Sequence, residues 1–295
     1  MENAFKIENL NKSYKGFSLE IPNLEIPKGF ATALIGENGA GKSTLMNILC
    51  GSLLNYKGSV TFFDDSMSDE EKRAKVGYTA SSNYFMPHWT IEQVAEVNEM
   101  LYYNFNKDKY YKMLEKFAVS SENGIKKSKS VGKLSDGMKM KIMLANVFAR
   151  DTKCLVLDEP ASPLDPLMRD ILCQMLREYL TENEGENTVI FSTHNISDME
   201  AVTDYAVIIE NGVVVEKGFV EELKEKYVLV KGEKGEVNAA SEILYSIQEN
   251  SFGYEGICLA SDIEKMAGFD ISVEIPSLNQ ICVAVLKKYT SLKYN

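Results

Sequence analysis

The chain has 295 residues, enough for one large α/β domain with a small second one, or for two of medium size. Hydrophobic residues make up 45% and charged residues 25%, ordinary globular values that exclude a disordered chain and a coiled coil. A formal net charge of −11 argues against a nucleic-acid-binding surface, which needs clustered Lys and Arg.

The N-terminus, MENAFKIENL, lacks a basic region followed by an apolar core, so no secretory signal is expected. No apolar run approaches the roughly 18 residues that cross a bilayer. Any membrane role is therefore expected to pass through a separate membrane subunit. Cys50, Cys154, Cys173, Cys258 and Cys282 are odd in number and show no paired spacing, which fits reduced core residues of a cytosolic protein. The dense basic run Lys126–Lys133 reads as a solvated loop, with contact to a partner or to anionic lipid as the alternative.

In chain order, Ala4–Leu10 and Phe17–Ile26 predict strands of an antiparallel edge layer, with Tyr14 in the connection. Phe30–Ile35 is a short apolar run suited to a buried strand, and Ser43–Cys50 predicts a helix closed by Gly51. Between them Gly36–Thr44 reads GENGAGKST and fits G-x-x-x-x-G-K-[ST]. Strand, glycine loop and helix form a phosphate cradle. Gly36, Gly39 and Gly41 let backbone amides converge with the helix N-terminus on a phosphate, and Glu37, Asn38 and Ala40 complete the loop. Lys42 supplies a point charge, Ser43 a hydroxyl for Mg²⁺, and Thr44 closes the motif. For the ring of Tyr14 two roles fit, stacking on adenine or packing on the sheet.

Gly58–Phe63 then predicts a strand, Asp69–Lys75 a short helix, and Val76–Tyr78 a return to the sheet. Between Thr79 and Lys133, helical spacing at Ile91–Asn98 and Asp108–Phe117 predicts a helical subdomain inserted into the nucleotide core. Its last helix, Lys139–Arg150, follows LSDGM (Leu134–Met138), in which Ser135 suits an N-cap and Gly137 leaves amides open. That predicts a second anion site. Cys154–Leu157 is a buried strand that delivers Asp158 and Glu159 at its carboxyl end, where Asp158 can face Mg²⁺ and Glu159 can polarise a water.

Pro160, Pro163 and Pro166 stiffen a turn holding Ser162 and Asp165 before a helix at Pro166–Leu180. Thr188–Phe191 predicts a further buried strand running into Ser192, Thr193 and His194. His194 is one of only two histidines and sits where α/β sheets bind ligands, so its ring is assigned to the γ-phosphate. His88 lacks such a context. Tyr205–Glu210 and Val213–Glu216 form a hairpin through Asn211–Gly212. Beyond Gly218 and a helix at Val220–Lys226, strands at Tyr227–Gly232, Glu255–Ala260 and Phe269–Glu274 alternate with helices at Ala239–Glu249 and Leu278–Lys288.

Gly36–Thr44, Leu134–Met138, Leu155–Glu159, Ser162–Asp165 and His194 stand in the order and spacing of the motifs of ABC-type ATPases, so residues 4–218 resemble that family, and most the ATP-binding subunits of ABC-2-type exporters, the bacitracin and antibiotic-efflux branch. The resemblance implies an α/β fold: a P-loop NTPase core with a mixed sheet, an antiparallel β edge layer and an inserted helical subdomain at about 79–150. It also implies an ATP-binding domain over 1–218, leaving a small α/β accessory domain at 219–295. Two departures stand out. The signature has Asp136 and Met138 where the family places Gly and Gln, and Ser81 occupies the position of a Mg²⁺-touching glutamine.

By the same resemblance, ATP and Mg²⁺ are bound between two cassettes, each nucleotide capped by Ser135 and Gly137 of the other copy or of a closely related chain, and Glu159 drives hydrolysis. A transmembrane permease would be the further partner, on the inner face of the cell membrane. The aromatic-rich loop Asn83–Trp89 is the expected contact, with Phe85 and Trp89 as its anchors; the alternative is that these side chains form the subdomain's own core. A soluble ABC-type ATPase and a degenerate regulatory cassette are the alternatives.

Overall fold

The computed structural model describes residues 2–63, 68–119 and 129–294, the side chains of 69 and 290–294 excepted. The basic run at Lys126–Lys133 thus lies partly outside the described residues. In order the chain forms β1 (Asn3–Tyr14), β2 (Phe17–Pro27), β3 (Ala31–Ile35), α1 (Lys42–Leu49), β4 (Lys57–Phe62), α2 (Asp69–Ala74), β5 (Val76–Thr79), α3 (Ile91–Leu101), α4 (Lys107–Lys116) and α5 (Asp136–Phe148). It continues with β6 (Cys154–Leu157), α6 (Pro166–Thr181), β7 (Thr188–Thr193), β8 (Tyr205–Glu210), β9 (Val213–Phe219) and α7 (Val220–Lys226). The last part comprises β10 (Tyr227–Glu233), α8 (Val237–Ala240), β11 (Ser246–Glu249), β12 (Gly253–Leu259), β13 (Ile271–Glu274) and α9 (Leu278–Tyr294).

A mixed sheet of order β4-β1-β2-β9-β8-β3-β7-β6-β5 organises the larger part. Its centre is parallel, with β3 between β7 and β8 and β6 between β5 and β7. Every residue of β3, β6 and β7 is buried, as expected for strands covered on both faces. Strand alternation then divides the core. Ala33, Phe191 and Ile208 face the side of α5 and α6, while Leu34, Ile190 and Val207 face α1 and the edge layer.

The helical subdomain is built by caps and apolar stripes. Thr90 and Gln93 form a capping box at the start of α3, and Asn106 caps α4. Ile91, Val94, Tyr110 and Leu114 then join the same core as α5. Asp165 caps α6, its Oδ1 accepting from the Met168 amide at 3.1 Å with Pro166 at the first helical position. This fixes the turn that follows Glu159.

The C-terminal part departs from expectation in one element. Residues 239–249 do not form a helix: α8 ends at Ala240, and β11 pairs with β12 from Ser246 opposite Ile257 to Glu249 opposite Tyr254. Pairing with a neighbouring strand overrides the local helical pattern of a short segment. Leu278, Ile281, Cys282 and Val285 of α9 pack with the appendage's Leu229 and Ile257, and equally with Met199, Val202 and Ile208 of the nucleotide core. The Leu278 amide also donates to Glu200 Oε1 at 3.0 Å. One continuous core therefore crosses residue 218. The cysteines are all free, and all but the half-buried Cys50 are buried.

Candidate nucleotide site

The glycine loop leaves β3 and enters α1 as its spacing requires. At Gly36 a β-carbon would lie 2.2 Å from the carbonyl oxygen of Ile209, so only glycine fits there. The Asn211–Gly212 turn braces the loop from the other side, the Gly212 amide donating to the Ala40 carbonyl at 3.0 Å. Lys42, Ser43 and Thr44 open α1, and their amides have no partner within the helix. The resulting donors and the helix dipole favour an anion.

Lys42 is 6% exposed and donates to the carbonyls of Gly36 at 2.7 Å and Glu37 at 3.0 Å. Burial draws its pKa below the usual ammonium value, opposed by the carboxylates of Glu159, Asp158 and Glu37. Ser43 is exposed beside it, and Asn38 is exposed at the loop's tip. Tyr14 closes β1 opposite Phe17, stacks on it at a centroid distance of 6.4 Å, and leaves 48% of its surface open. Lys12 Nζ lies 5.1 Å from the ring centroid, and a ring left this open suits a base.

The acidic pair is held by a residue the motif does not advertise. Ser192 Oγ donates to Asp158 Oδ1 at 2.5 Å and accepts from the Glu159 amide at 2.9 Å. The only sequence signal was its position two residues before His194, on a strand whose Phe191 pairs with Leu157. Asp158 is buried, and Glu159 is a non-glycine residue at φ 50. Such a backbone is strained and turns the side chain away from the strand's regular direction.

The result is a short polar chain. His194 Nδ1 lies 2.9 Å from Glu159 Oε2, while Glu159 Oε1 is buried without a hydrogen-bond partner and 3.9 Å from Lys42 Nζ. Glu159 and His194 line a cavity of about 700 Å³ together with Asn38, Ser81, Ser162, Asp136 and Lys139. A carboxylate whose side chain lines such a cavity can accept a proton from a water placed there. Among the described residues, no cluster of three His, Cys, Asp or Glu side chains could hold a metal ion.

Ser135 caps α5, its Oγ accepting from the Met138 amide at 3.3 Å, and it is exposed. At Gly137 a β-carbon would meet the Pro163 carbonyl oxygen at 2.6 Å, so the signature and the turn after Glu159 touch through backbone. Neither Ser135 nor Gly137 lines the cavity of its own chain's Glu159. His88 is exposed and outside that cavity as well.

The loop Asn83–Trp89 needs one correction. Phe85 is buried, 5% exposed, and its backbone is clasped by the Asn83 amide, while Trp89 is half-buried against the core. The exposed large side chains are Tyr84 and Met86. Phe85 is thus no surface anchor, because the Asn83 clasp turns it inward toward the helices. Phe85→Ala is expected to cost about 3–5 kcal/mol, read as a large fall in melting temperature.

A phosphate loop ahead of a buried parallel strand that ends in paired acids, with a histidine on the adjacent strand, defines a P-loop NTPase. A family model described as ABC transporter matches residues 19–162. The lantibiotic transport ATP-binding protein SrtF of Streptococcus pyogenes is 33% identical over 202 residues, which cover 68% of this chain and 84% of SrtF. Human ATP-binding cassette sub-family A member 6 is 29% identical over 218 residues, 70% of this chain but 13% of that protein. The chain therefore spans only a small part of such relatives. The solved structure of cbiO1 from Clostridium perfringens, part of the ABC transporter complex cbiONQ, is 26% identical, with a TM-score of 0.58 over 76% of this chain and 91% of that one. The protein belongs to the ABC transporter ATP-binding cassettes, a family of ATPases.

Proposed function

We propose that this cassette hydrolyses ATP with Mg²⁺ as the energising subunit of an exporter, working as a nucleotide-sandwich dimer on a separate membrane subunit. The observation that carries the reading is Glu159 lining the cavity with His194, its Oε1 buried without a hydrogen-bond partner 3.9 Å from Lys42 Nζ. The loop amides and Lys42 bind the phosphates, and Tyr14 presents a face to the adenine. Ser43 and Asp158 would hold Mg²⁺ together with substrate oxygens, the usual arrangement for an ion that keeps few protein ligands. When bound, the ion neutralises charge developing on the phosphates.

Glu159 takes the proton of the attacking water, and His194 holds that carboxylate through Oε2 while keeping its other ring nitrogen for the γ-phosphate. Ser81, exposed on the cavity wall, reaches the metal only through a water. Ser135 and Gly137 do not line the cavity of their own chain, which suits donation to a second copy. We assign residues 1–218 to ATP work and 219–295 to an accessory role. Outward direction rests on the resemblance to efflux cassettes.

Among the described residues no helix is long and apolar enough to cross a membrane. We place the chain on the inner face of the membrane, with Tyr84 and Met86 in the contact. Tyr84→Ala is expected to weaken co-purification with the membrane subunit by about 1–2 kcal/mol with basal ATP turnover unchanged. Equal recovery of the subunit with the native chain and the variant removes that contact. ATP-driven efflux from vesicles carrying both subunits tests direction.

A further inference from the structure

Glu159 and His194 owe their placement to the loops that bear them more than to packing. The His194 side chain is 48% exposed, and Glu159 sits on a strained backbone at φ 50 that its surroundings must hold. The two loops leave the paired parallel strands β6 and β7 at their carboxyl ends. Ser192 ties them at the strand ends, and a second tie stands farther out. Arg169, one turn into α6, reaches both loops at once. Its Nε donates to the Leu164 carbonyl at 2.9 Å, and its Nη1 pairs with Asp198 Oδ1.

The connections on either side are short and hydrogen-bonded. From Glu159 the turn is stepped by backbone bonds, the Ser162 amide donating to the Glu159 carbonyl at 3.3 Å and the Leu164 amide to the Ala161 carbonyl at 3.0 Å. Beside His194, Thr193 Oγ1 accepts from the Asn195 amide at 3.0 Å and donates to the Asn195 carbonyl at 2.9 Å. The Asp198 amide donates to that same carbonyl at 3.3 Å, and Ile196 and Met199 are buried on either side. The path therefore closes into a ring. It runs from Glu159 through the turn to Leu164, across Arg169 to Asp198, back to His194, and through the 2.9 Å contact of Nδ1 with Glu159 Oε2.

The Arg169 and Asp198 side chains are 28% and 18% exposed, and a charged pair shielded to this degree holds its geometry better than a solvated one. Arginine suits the corner because its planar fork donates in two directions. We propose that Arg169 is a positioning residue for hydrolysis: through Leu164 and Asp198 it sets the separation of the two loops and so keeps the His194 ring against Glu159. The proposal rests on the assignment of hydrolysis to that pair. Neither Arg169 nor Asp198 lines the nucleotide cavity, so ATP binding is left to the phosphate loop.

The test uses the full chain and Arg169→Met, Arg169→Lys, Asp198→Asn and the double variant Arg169→Met/Asp198→Asn, assayed below their melting temperatures. Turnover of Arg169→Met at saturating ATP is expected to fall about tenfold with KM for ATP unchanged, a fraction of the roughly hundredfold that an ångström of misplacement costs. Asp198→Asn should lose a similar amount, and the double variant no more than either, because all three break one tie. Arg169→Lys presents a single nitrogen and should recover part of the loss. The second readout needs no ATP. The chain has two histidines, so nitrogen NMR of the imidazoles separates His194 from His88 once His88→Gln is recorded. The Nδ1 signal of His194 should show its hydrogen bond to Glu159 in the native chain and move toward that of exposed His88 in Arg169→Met.

An arginine that serves folding alone would lower the melting temperature and leave the His194 signal and the turnover of the folded chain as they are; that result overturns the proposal. So does a fall in turnover with the His194 signal unmoved, a rise in KM that accounts for the loss, or additive losses in the double variant. If Arg169→Met does not fold, Asp198→Asn and Arg169→Lys decide by the same two readouts. Native turnover in Glu159→Gln and His194→Ala would count against the site assignment itself. Loss of turnover in those two beside a native Arg169→Met counts against this proposal alone.

Discussion

Glu159→Gln is expected to bind ATP as the native chain does, while turnover falls on the order of 10²–10⁴-fold, the usual contribution of a general base. The structure supplies the reason for the split. Glu159 does not belong to the phosphate loop, and its Oε1 is buried with no donor to satisfy. The amide substitution keeps the side chain's shape and its reach to His194 Nδ1, now 2.9 Å from Oε2, but removes the basic oxygen. Nucleotide affinity by equilibrium titration and phosphate release under saturating ATP separate the two effects. An equal loss of affinity would place Glu159 in binding and not in proton transfer.

Lys42→Ala should instead lose both, with turnover falling on the order of 10³-fold or more, as when a preorganised charge on the transferred phosphoryl group is removed. The ammonium bridges the Gly36 and Glu37 carbonyls and stands 3.9 Å from Glu159 Oε1, so its loss unties the loop and removes the charge nearest the acid. Lys42→Arg is not a rescue, because the slot is 6% exposed and shaped for a single nitrogen. Isotherms that match the native chain for Lys42→Ala would contradict the assignment of the phosphate site to this loop.

The parts of the fold that were legible in the sequence are those encoded locally. The apolar runs of β3, β6 and β7, the helix start at Pro166, and the Asn211–Gly212 turn each carry their structure in a few adjacent residues. The phosphate loop was readable for the same reason. What was not legible depends on distant partners. Ser192 acquires its place between Asp158 and Glu159 only through the pairing of β6 with β7, and the positive φ of Glu159 has no glycine to announce it.

Phe85 lies in a loop without helical or strand period, so nothing local distinguished it from its exposed neighbours Tyr84 and Met86. Residues 239–249 carry a helical pattern that is overruled by β12. The stripe of α9 was readable as apolar, yet its packing against Met199, Val202 and Ile208 of the nucleotide core was not. Arg150 likewise looked like the ordinary end of a helix. Its burial, with Nη2 donating to the Ala74 carbonyl and the guanidinium 3.8 Å from the Tyr102 ring centroid, follows from how α2, α3 and α5 assemble.

The proposed sandwich dimer is the step on which the proposed mechanism depends, since Ser135 and Gly137 do not line their own chain's cavity. The most direct measurement is mass by size-exclusion chromatography with light scattering on Glu159→Gln, with and without ATP. The account predicts a shift from the 33.1 kDa monomer to twice that mass only with ATP. Adding Ser135→Arg should keep the mass at the monomer value, because a bulky cation then blocks the partner's phosphate site. A mass that ignores ATP, or a dimer that survives Ser135→Arg unchanged, would contradict the shared site.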